Sequence, residues 1–136
     1  MLKFIIGKKG SGKTNKLIES VNTAVKTDDG HIVFINNGKR HIFDLDSRIR
    51  LVDTDEYKVA SYQAIYGMIC GVLAQDYDIS AIFVDSITKI IKDEDIKSAE
   101  AAIEALAELC DKNGVNVVIT ASIDIDDAPD FIKKYV

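Results

Sequence analysis

A glycine-rich stretch near the start of the chain restricts most strongly what this sequence can form. It follows an apolar run at residues 2–6 and precedes apolar residues at helical spacing, Leu17 and Val21 among them. The stretch reads Gly7-Lys8-Lys9-Gly10-Ser11-Gly12-Lys13-Thr14. It matches the pattern G-x-x-x-x-G-K-[ST] in the strand-then-helix context that a phosphate-binding loop requires. We therefore expect a strand, a phosphate-binding loop (the phosphate loop, residues 7–14) and a helix, in that order.

The residue types of the phosphate loop suit an anion. Glycines let the backbone curl so that successive N–H groups point inward, and the positive end of the following helix adds to their field. Lys13 can reach the β- and γ-phosphates of a nucleotide, and the Thr14 hydroxyl can ligate Mg²⁺. We predict that ATP with Mg²⁺ is bound by Gly7, Lys8, Lys9, Gly10, Ser11, Gly12, Lys13, Thr14 and Asn15.

Length and composition narrow the class of protein. The chain has 136 residues, of which 47% are hydrophobic and 29% charged, values typical of one globular domain covering residues 1–136. The net charge of −5 argues against a general nucleic-acid binder. Lysines do cluster around the phosphate loop, and neutralising the phosphates of a nucleotide explains them without invoking nucleic acid.

The cysteines and the apolar stretches indicate where the protein resides. Cys70 and Cys110 lie far apart in apolar helical patterns, so we expect buried structural thiols and no zinc site. No apolar stretch approaches the length needed to span a membrane. The first strand runs directly into the phosphate loop and leaves no room for a signal peptide. A cytoplasmic protein is therefore expected.

Apolar runs alternate with helical patterns along the chain. Four of these runs predict strands, at residues 2–6, 32–35, 81–85 and 115–121. Residues 48–52 alternate between charged and apolar side chains and predict the third strand in chain order, near a sheet edge. Helical periodicity predicts helices at about residues 12–26, from an N-cap at Asp53 to about residue 75, and from the acidic residues 93–95 to Gly114. Gly67 and Gly71 lie inside the second helix, where we expect them to allow close approach of a neighbouring element. Strands that alternate with helices predict an α/β fold with a parallel sheet.

A second functional signal is an aspartate at the end of the fourth strand. Residues 81–84 are apolar, and Asp85 follows them directly. In phosphate-loop proteins a strand carries such an aspartate, which helps to hold Mg²⁺. Any buried parallel strand can end in aspartate, so the pattern gains weight only from the phosphate loop in the same chain. Thr14 and Asp85 are the predicted metal ligands.

Residues 49–86 resemble the ATPase core of the RecA family. They contain a strand, an Asp-Thr turn, a long helix and a strand ending Ile-Phe-Val-Asp-Ser, in which Asp85-Ser86 matches the family's Walker B ending. The resemblance extends from Leu2 to about Ser122. It implies a three-layer α/β/α sandwich around a five-stranded, mainly parallel sheet, with the strand order 3-2-4-5-1.

The resemblance implies a function as well as a fold. Lys13 would act on the phosphates during ATP hydrolysis, and a polar residue at the tip of the last strand would sense the γ-phosphate. Ser122 occupies that tip, and Thr120 is the second candidate. RecA-like modules often place ATP at a subunit interface, so a protein partner or a homo-oligomer is also implied.

The chain departs from the family at the position of the catalytic glutamate. That residue usually follows the second strand, where this chain has Asn36-Asn37-Gly38. Asp53 and Asp55, beyond the third strand, are the nearest alternatives by topology. Because general-base assistance contributes roughly 10²–10⁴-fold, we expect binding to be intact and hydrolysis to be slow. The family's later strands and DNA-binding loops are not found in this sequence, so the resemblance does not lead us to expect a role in DNA recombination.

Four functions remain open. The first is an ATPase module, and the second is a small-molecule or nucleotide kinase similar to thymidine kinase. A kinase usually needs an arginine-bearing lid, and Arg40, Arg48 and Arg50 lie in no evident lid. The third is a GTPase, but no Asn-Lys-x-Asp guanine-reading motif follows the fourth or fifth strand. The fourth is a non-catalytic, nucleotide-responsive interaction module, which the missing glutamate keeps open.

Overall fold

One five-stranded sheet organises the computed structural model, which describes residues 1–92 and 95–136. Its strands are β1 (Leu2–Ile6), β2 (His31–Asn36), β3 (Arg50–Asp53), β4 (Ile79–Val84) and β5 (Asn116–Ala121). The described helices are α1 (Lys13–Thr27), α2 (Tyr62–Gln75), α3 (Ile87–Ile90), α4 (Glu100–Asn113) and α5 (Asp130–Lys133). Within these same ranges, no helix has the length and apolar character needed to cross a membrane.

Every strand pair in the sheet is parallel, and the strand order is β1-β5-β4-β2-β3. This is the predicted order read from the opposite edge, so the predictions of an α/β fold and of its strand order are confirmed. Parallel strands all place their carboxyl ends at one edge of the sheet. The segments that follow β1, β5 and β4 therefore lie side by side there, although they are distant in sequence.

The strand side chains divide between two hydrophobic clusters. Phe34 of β2 and Phe83 of β4 belong to a smaller cluster with Leu17 and Val21 of α1. The alternate residues of the same strands, such as Ile35, belong to a larger cluster that includes buried residues of α2 and α4. Strand side chains alternate in direction, so both faces of the central strands are covered by apolar side chains. This burial explains why β2 and β4 are continuous apolar runs in the sequence.

The predicted start of the second helix at Asp53 is wrong. Asp53 is the last residue of β3, and its Oδ1 accepts hydrogen bonds from the backbone N–H groups of Gly38 at 2.7 Å and Asp55 at 3.0 Å. Lys58 then adopts a left-handed backbone conformation, with φ of 52°, which no helix can continue through. The helix begins at α2 instead, where the Ser61 hydroxyl accepts a hydrogen bond from the first turn.

The helix predicted from residues 93–95 to Gly114 is confirmed for most of its length. Its start was predicted at the acidic residues 93–95, and two of these, Asp93 and Glu94, lie outside the described residues. The Asp95 carboxylate accepts a hydrogen bond from the Lys97 backbone N–H at 3.2 Å, and a 3₁₀-helix at Ile96–Ala99 leads into α4. Gly114 ends α4 in the left-handed conformation, with φ of 64°, as the sequence predicts.

The helical glycines do not serve close packing, which corrects the expectation for Gly67 and Gly71. Both are exposed, and a Cβ atom added to either would meet no atom within 4 Å. Gly30, which precedes β2, is a glycine that close packing against backbone requires. A Cβ atom there would lie 2.6 Å from the carbonyl oxygen of Asp78 and 2.7 Å from the Cβ of Ser80.

Two glycine-to-alanine substitutions should therefore have opposite effects on stability. Gly67→Ala should raise the free energy of unfolding by about 0.5–1 kcal/mol, because alanine favours the helix and the added methyl group meets open space. Gly30→Ala should lower it by roughly 1–3 kcal/mol, since a backbone carbonyl would have to move. Urea denaturation of both variants beside the parent measures the two changes. Equal effects, or effects of reversed sign, would contradict the packing described above.

Candidate functional site

The phosphate loop joins β1 to α1 through two glycines in the left-handed conformation. Gly10 has φ of 84° and Gly12 has φ of 85°, values that residues with a side chain rarely adopt. Gly7 differs from these two, because a Cβ atom there would lie 2.7 Å from Ser11 Oγ. Close packing thus favours glycine at Gly7 and backbone conformation favours it at Gly12, the two positions where the motif requires glycine, and conformation also favours it at Gly10.

The amino end of α1 is open to a negative ligand. Gly12 precedes the helix without a capping side chain, and no acidic residue lies in the first turn. The first turn of α2 differs, because Ser61 caps it. Uncapped backbone N–H groups and the positive end of the helix dipole both favour an anion at this position.

Lys13 folds back into the loop. Its side chain is buried, and Nζ donates a hydrogen bond to the Lys8 carbonyl oxygen at 2.9 Å and lies 3.4 Å from Ser11 Oγ. Burial lowers the pKa of Lys13, and the charge of Asp85 opposes that shift. Among the described residues, no carboxylate forms an ion pair with Lys13. A phosphate oxygen in the loop would therefore compensate a cation that has lost part of its solvation.

Asp85 directly follows β4 and is fully buried, with 0% of its surface exposed. Its Oδ1 accepts hydrogen bonds from the Thr14 hydroxyl at 3.1 Å and from the Thr120 hydroxyl at 2.9 Å. Within the described ranges, no lysine or arginine forms an ion pair with this carboxylate. Buried charges in proteins are usually paired or coordinate a metal. A hydroxyl and a carboxylate are hard oxygen ligands of the kind that Mg²⁺ prefers, so Thr14 and Asp85 fit that ion.

Thr120 lies behind Asp85 and does not line the cavity beside the loop. Its Oγ1 donates to Asp85 and accepts a hydrogen bond from the Ser86 backbone N–H at 2.7 Å. Ser86 is one of the few residues other than glycine with positive φ, at 55°. That conformation is unfavourable for a residue with a side chain, so the surrounding contacts must hold it in place. Thr120 therefore ties the Asp85 carboxylate to the strained turn that follows it.

A cavity of about 540 Å³ opens beside the phosphate loop. Lys9, Lys13, Thr14 and Asn15 line one side of it, and the predicted residue Ser122 also lines it. Of the two residues proposed to sense the γ-phosphate, Ser122 is thus the one that borders the space beside the loop.

The sequence does not predict a second group of residues that lines this cavity. It is formed by Ser86, Thr88 and Lys89, at the start of α3. The Ser122 backbone N–H donates to Thr88 Oγ1 at 3.1 Å, which holds this group against the end of β5. All three lie within four residues after Asp85, so their nearness in sequence to a predicted metal ligand was the available signal.

Lys8 and the alternative bases Asp53 and Asp55 form contacts away from the cavity. Lys8 Nζ lies 3.3 Å from the Asp124 carboxylate, and the pKa of Asp124 is lowered, first by a hydrogen bond from the Asp126 backbone N–H and then by Lys8. Asp55 accepts a hydrogen bond from the Asn37 side-chain amide at 2.8 Å. Neither Asp53 nor Asp55, the alternative bases, lines the cavity.

Comparison of the sequence with protein-family models and with curated proteins finds no match. Inferences about function therefore depend on the phosphate loop, on the cavity beside it and on the buried Asp85 carboxylate, which contacts the loop at Thr14. The loop and the carboxylate come from separate parts of the chain, since Thr14 and Asp85 are 71 positions apart.

Removal of the Thr120 hydroxyl tests this geometry without any ligand. Thr120→Val should lower the free energy of unfolding by about 1–3 kcal/mol, because the Ser86 N–H loses its acceptor and Asp85 loses a donor. Ser122→Ala should leave stability within about 0.5 kcal/mol of the parent, since this exposed side chain supports no buried group. Chemical denaturation measures both values. A Thr120→Val variant as stable as the parent would show that the hydroxyl is not holding Asp85 and Ser86.

Proposed function

We propose that this chain is an ATP-binding module of the RecA-like phosphate-loop class, and that it binds ATP together with Mg²⁺. The observation that carries the proposal is the 3.1 Å contact between Thr14 Oγ1 and the buried Asp85 carboxylate beside an uncapped phosphate loop. The strand order, with β5 between β1 and β4, supports the same class. The two hydrophobic clusters on either side of the sheet support a three-layer α/β/α arrangement.

Each site residue has a role in this proposal. The backbone N–H groups of the loop and the Lys13 ammonium bind the β- and γ-phosphates. Thr14 and Asp85 hold Mg²⁺, which would neutralise charge on the phosphates when bound. Ser122 contacts the γ-phosphate from the tip of β5, while Thr120 orients Asp85 from behind.

The kinase alternative gains no support from the arginines. None of the three lines the cavity beside the loop. Arg48 pairs with Asp46 through two side-chain hydrogen bonds, at 3.0 and 2.9 Å. Arg50 borders a separate groove of about 1040 Å³ along α2 and β3. We therefore favour an ATPase or a nucleotide-responsive module over a phosphoryl transferase.

Slow hydrolysis is part of the proposal, because a general base is missing where one is needed. Among the described residues that line the cavity, none is a carboxylate. Asn36 and Asn37 occupy the position of the family's glutamate, and an amide cannot take a proton from water. We propose that a protein partner or a second copy of the chain, in the cytoplasm, completes the site for turnover.

Replacement of Lys13 tests nucleotide binding most simply. Lys13→Ala should weaken the binding of ATP with Mg²⁺ by roughly 10–100-fold, because charge-assisted hydrogen bonds contribute about 1.5–3 kcal/mol. Lys16→Ala is the matched control, since Lys16 is exposed and does not line the cavity. Titration calorimetry measures both affinities. Equal affinities of the parent and Lys13→Ala for ATP would refute binding at the loop.

Turnover by the isolated chain should be slow. We expect steady-state hydrolysis of ATP with Mg²⁺ below about 1 s⁻¹, the lower end of the usual enzyme range, while ATP binding remains readily measurable. The missing general base is the physical reason, since its contribution is roughly 10²–10⁴-fold. A phosphate-release assay on the purified chain measures the rate. Brisk turnover by the chain alone would mean that one of its own groups serves as the base.

A further inference from the structure

Asn36, the last residue of β2, holds a buried amide that the roles assigned above do not explain. It is 0% exposed, and its Oδ1 accepts a hydrogen bond from the Asn37 backbone N–H at 2.8 Å, which fixes the direction of the amide. No atom of the described residues accepts a hydrogen bond from its Nδ2. An unpaired buried donor costs about 1–3 kcal/mol, so such groups usually have a partner.

The strand register places Asn36 beside Asp85. β2 and β4 pair in register through Phe34 and Phe83, which lie in the same hydrophobic cluster. Asn36 and Asp85 come two residues later on their respective strands, and the Asp85 backbone N–H donates to the Ile35 carbonyl oxygen at 2.9 Å. Because strand side chains alternate, Asn36 and Asp85 face the same side of the sheet as the two phenylalanines.

Asp85 thus has one polar neighbour on each side. On the β5 side, the buried Thr120 hydroxyl donates directly to Oδ1 at 2.9 Å. On the β2 side stands Asn36, whose Nδ2 forms no direct hydrogen bond with Asp85. The backbones of neighbouring strands lie about 4.8 Å apart, and a buried water molecule can join polar groups on adjacent strands that do not meet directly. The Asp85 Oδ2 atom can accept such a bond, because its hydrogen-bonding contact with Thr14 is long, at 3.4 Å.

We propose that Asn36 is a positioning residue for Asp85. Its Nδ2 donates to a buried water molecule, which in turn donates to the Asp85 carboxylate. Asn36 and Thr120 then hold the carboxylate from both sides, which leaves the Thr14 hydroxyl free to turn from Asp85 to the metal. The inference rests on the proposed function in so far as Asp85 holds Mg²⁺. Hydrogen bonds behind a metal ligand orient it, and their loss typically lowers metal affinity by roughly 10–100-fold.

The Mg²⁺ dependence of ATP binding tests this role with a matched pair of variants. Asn36→Leu keeps the branched outline of the side chain and removes the buried Nδ2 donor, together with the Oδ1 acceptor of the Asn37 backbone N–H. Thr54→Val removes the other buried polar atom that lacks a partner among the described residues. Thr54 lies in the turn after β3, and its backbone N–H, which the substitution leaves in place, donates to the Asn36 carbonyl oxygen at 2.9 Å. Asn36→Leu should raise the half-saturating Mg²⁺ concentration about tenfold, and Thr54→Val should leave it unchanged. ATP affinity in EDTA should be unchanged in both.

The pair separates positioning from simple packing. A merely structural role would alter the stability of either variant and the Mg²⁺ dependence of neither. Superimposed Mg²⁺ titrations for Asn36→Leu and the parent would overturn the inference.

A second measurement needs no nucleotide. In the nucleotide-free parent, the Asn36 side-chain NH₂ resonances, identified by their loss in Asn36→Leu, should show a nuclear Overhauser contact with water. They should also shift in Asp85→Asn. If ATP with Mg²⁺ fails to bind the parent, the proposed function falls, and the water contact alone decides the link between Asn36 and Asp85. Absence of that contact overturns the inference even if ATP binds.

Discussion

The buried carboxylate of Asp85 is the constraint on which the rest of the site depends. It stands at the end of the central strand β4, where Thr14 and Thr120 donate hydrogen bonds to it and no ion pair forms within the described ranges. A charge in that position must be satisfied by polar neighbours or by a metal. The strand order supplies the neighbours, because β5 lies between β1 and β4 and brings Thr120 to the same edge. The hydrogen bond from Thr14 to Asp85 thus connects the proposed metal site to the proposed phosphate site.

Much of the fold is predictable from the sequence, because four of the five strands are short, mainly apolar runs and the edge strand β3 lies in an alternating segment. The order of the strands follows only from the resemblance, since apolar runs do not reveal which strands pair. The start of α2 is not predictable in this way. Asp53 has the sequence context of a helix cap, yet its carboxylate accepts a hydrogen bond from Gly38, beyond the end of a neighbouring strand. The packing of Gly30 against Asp78 is likewise a contact between distant segments.

The candidate site likewise contains some residues that the sequence predicts and others that only the structure reveals. The phosphate loop and Asp85 are visible in the sequence because each is a contiguous pattern with a known chemical purpose. The place of Thr120 behind Asp85 depends on the pairing of β4 with β5, which no local pattern shows. Asn36 is noticed in the sequence only as a departure from the RecA family. Its burial beside Asp85 emerges from the parallel pairing of β2 with β4.

The central claim is that the phosphate loop binds ATP with Mg²⁺, and a chemical-shift titration of ¹⁵N-labelled protein tests it most directly. The backbone amides to follow are those of Gly10, Gly12 and Thr14 in the loop. Those of Gly67 and Gly71 in α2, which does not border the cavity beside the loop, are the controls. Gly71 borders the larger groove along α2 and β3, so it also reports binding there. Binding at the loop predicts saturable, Mg²⁺-dependent shifts of the loop amides and none on α2. Unmoved loop amides, or shifts confined to the surroundings of Gly71, would contradict it.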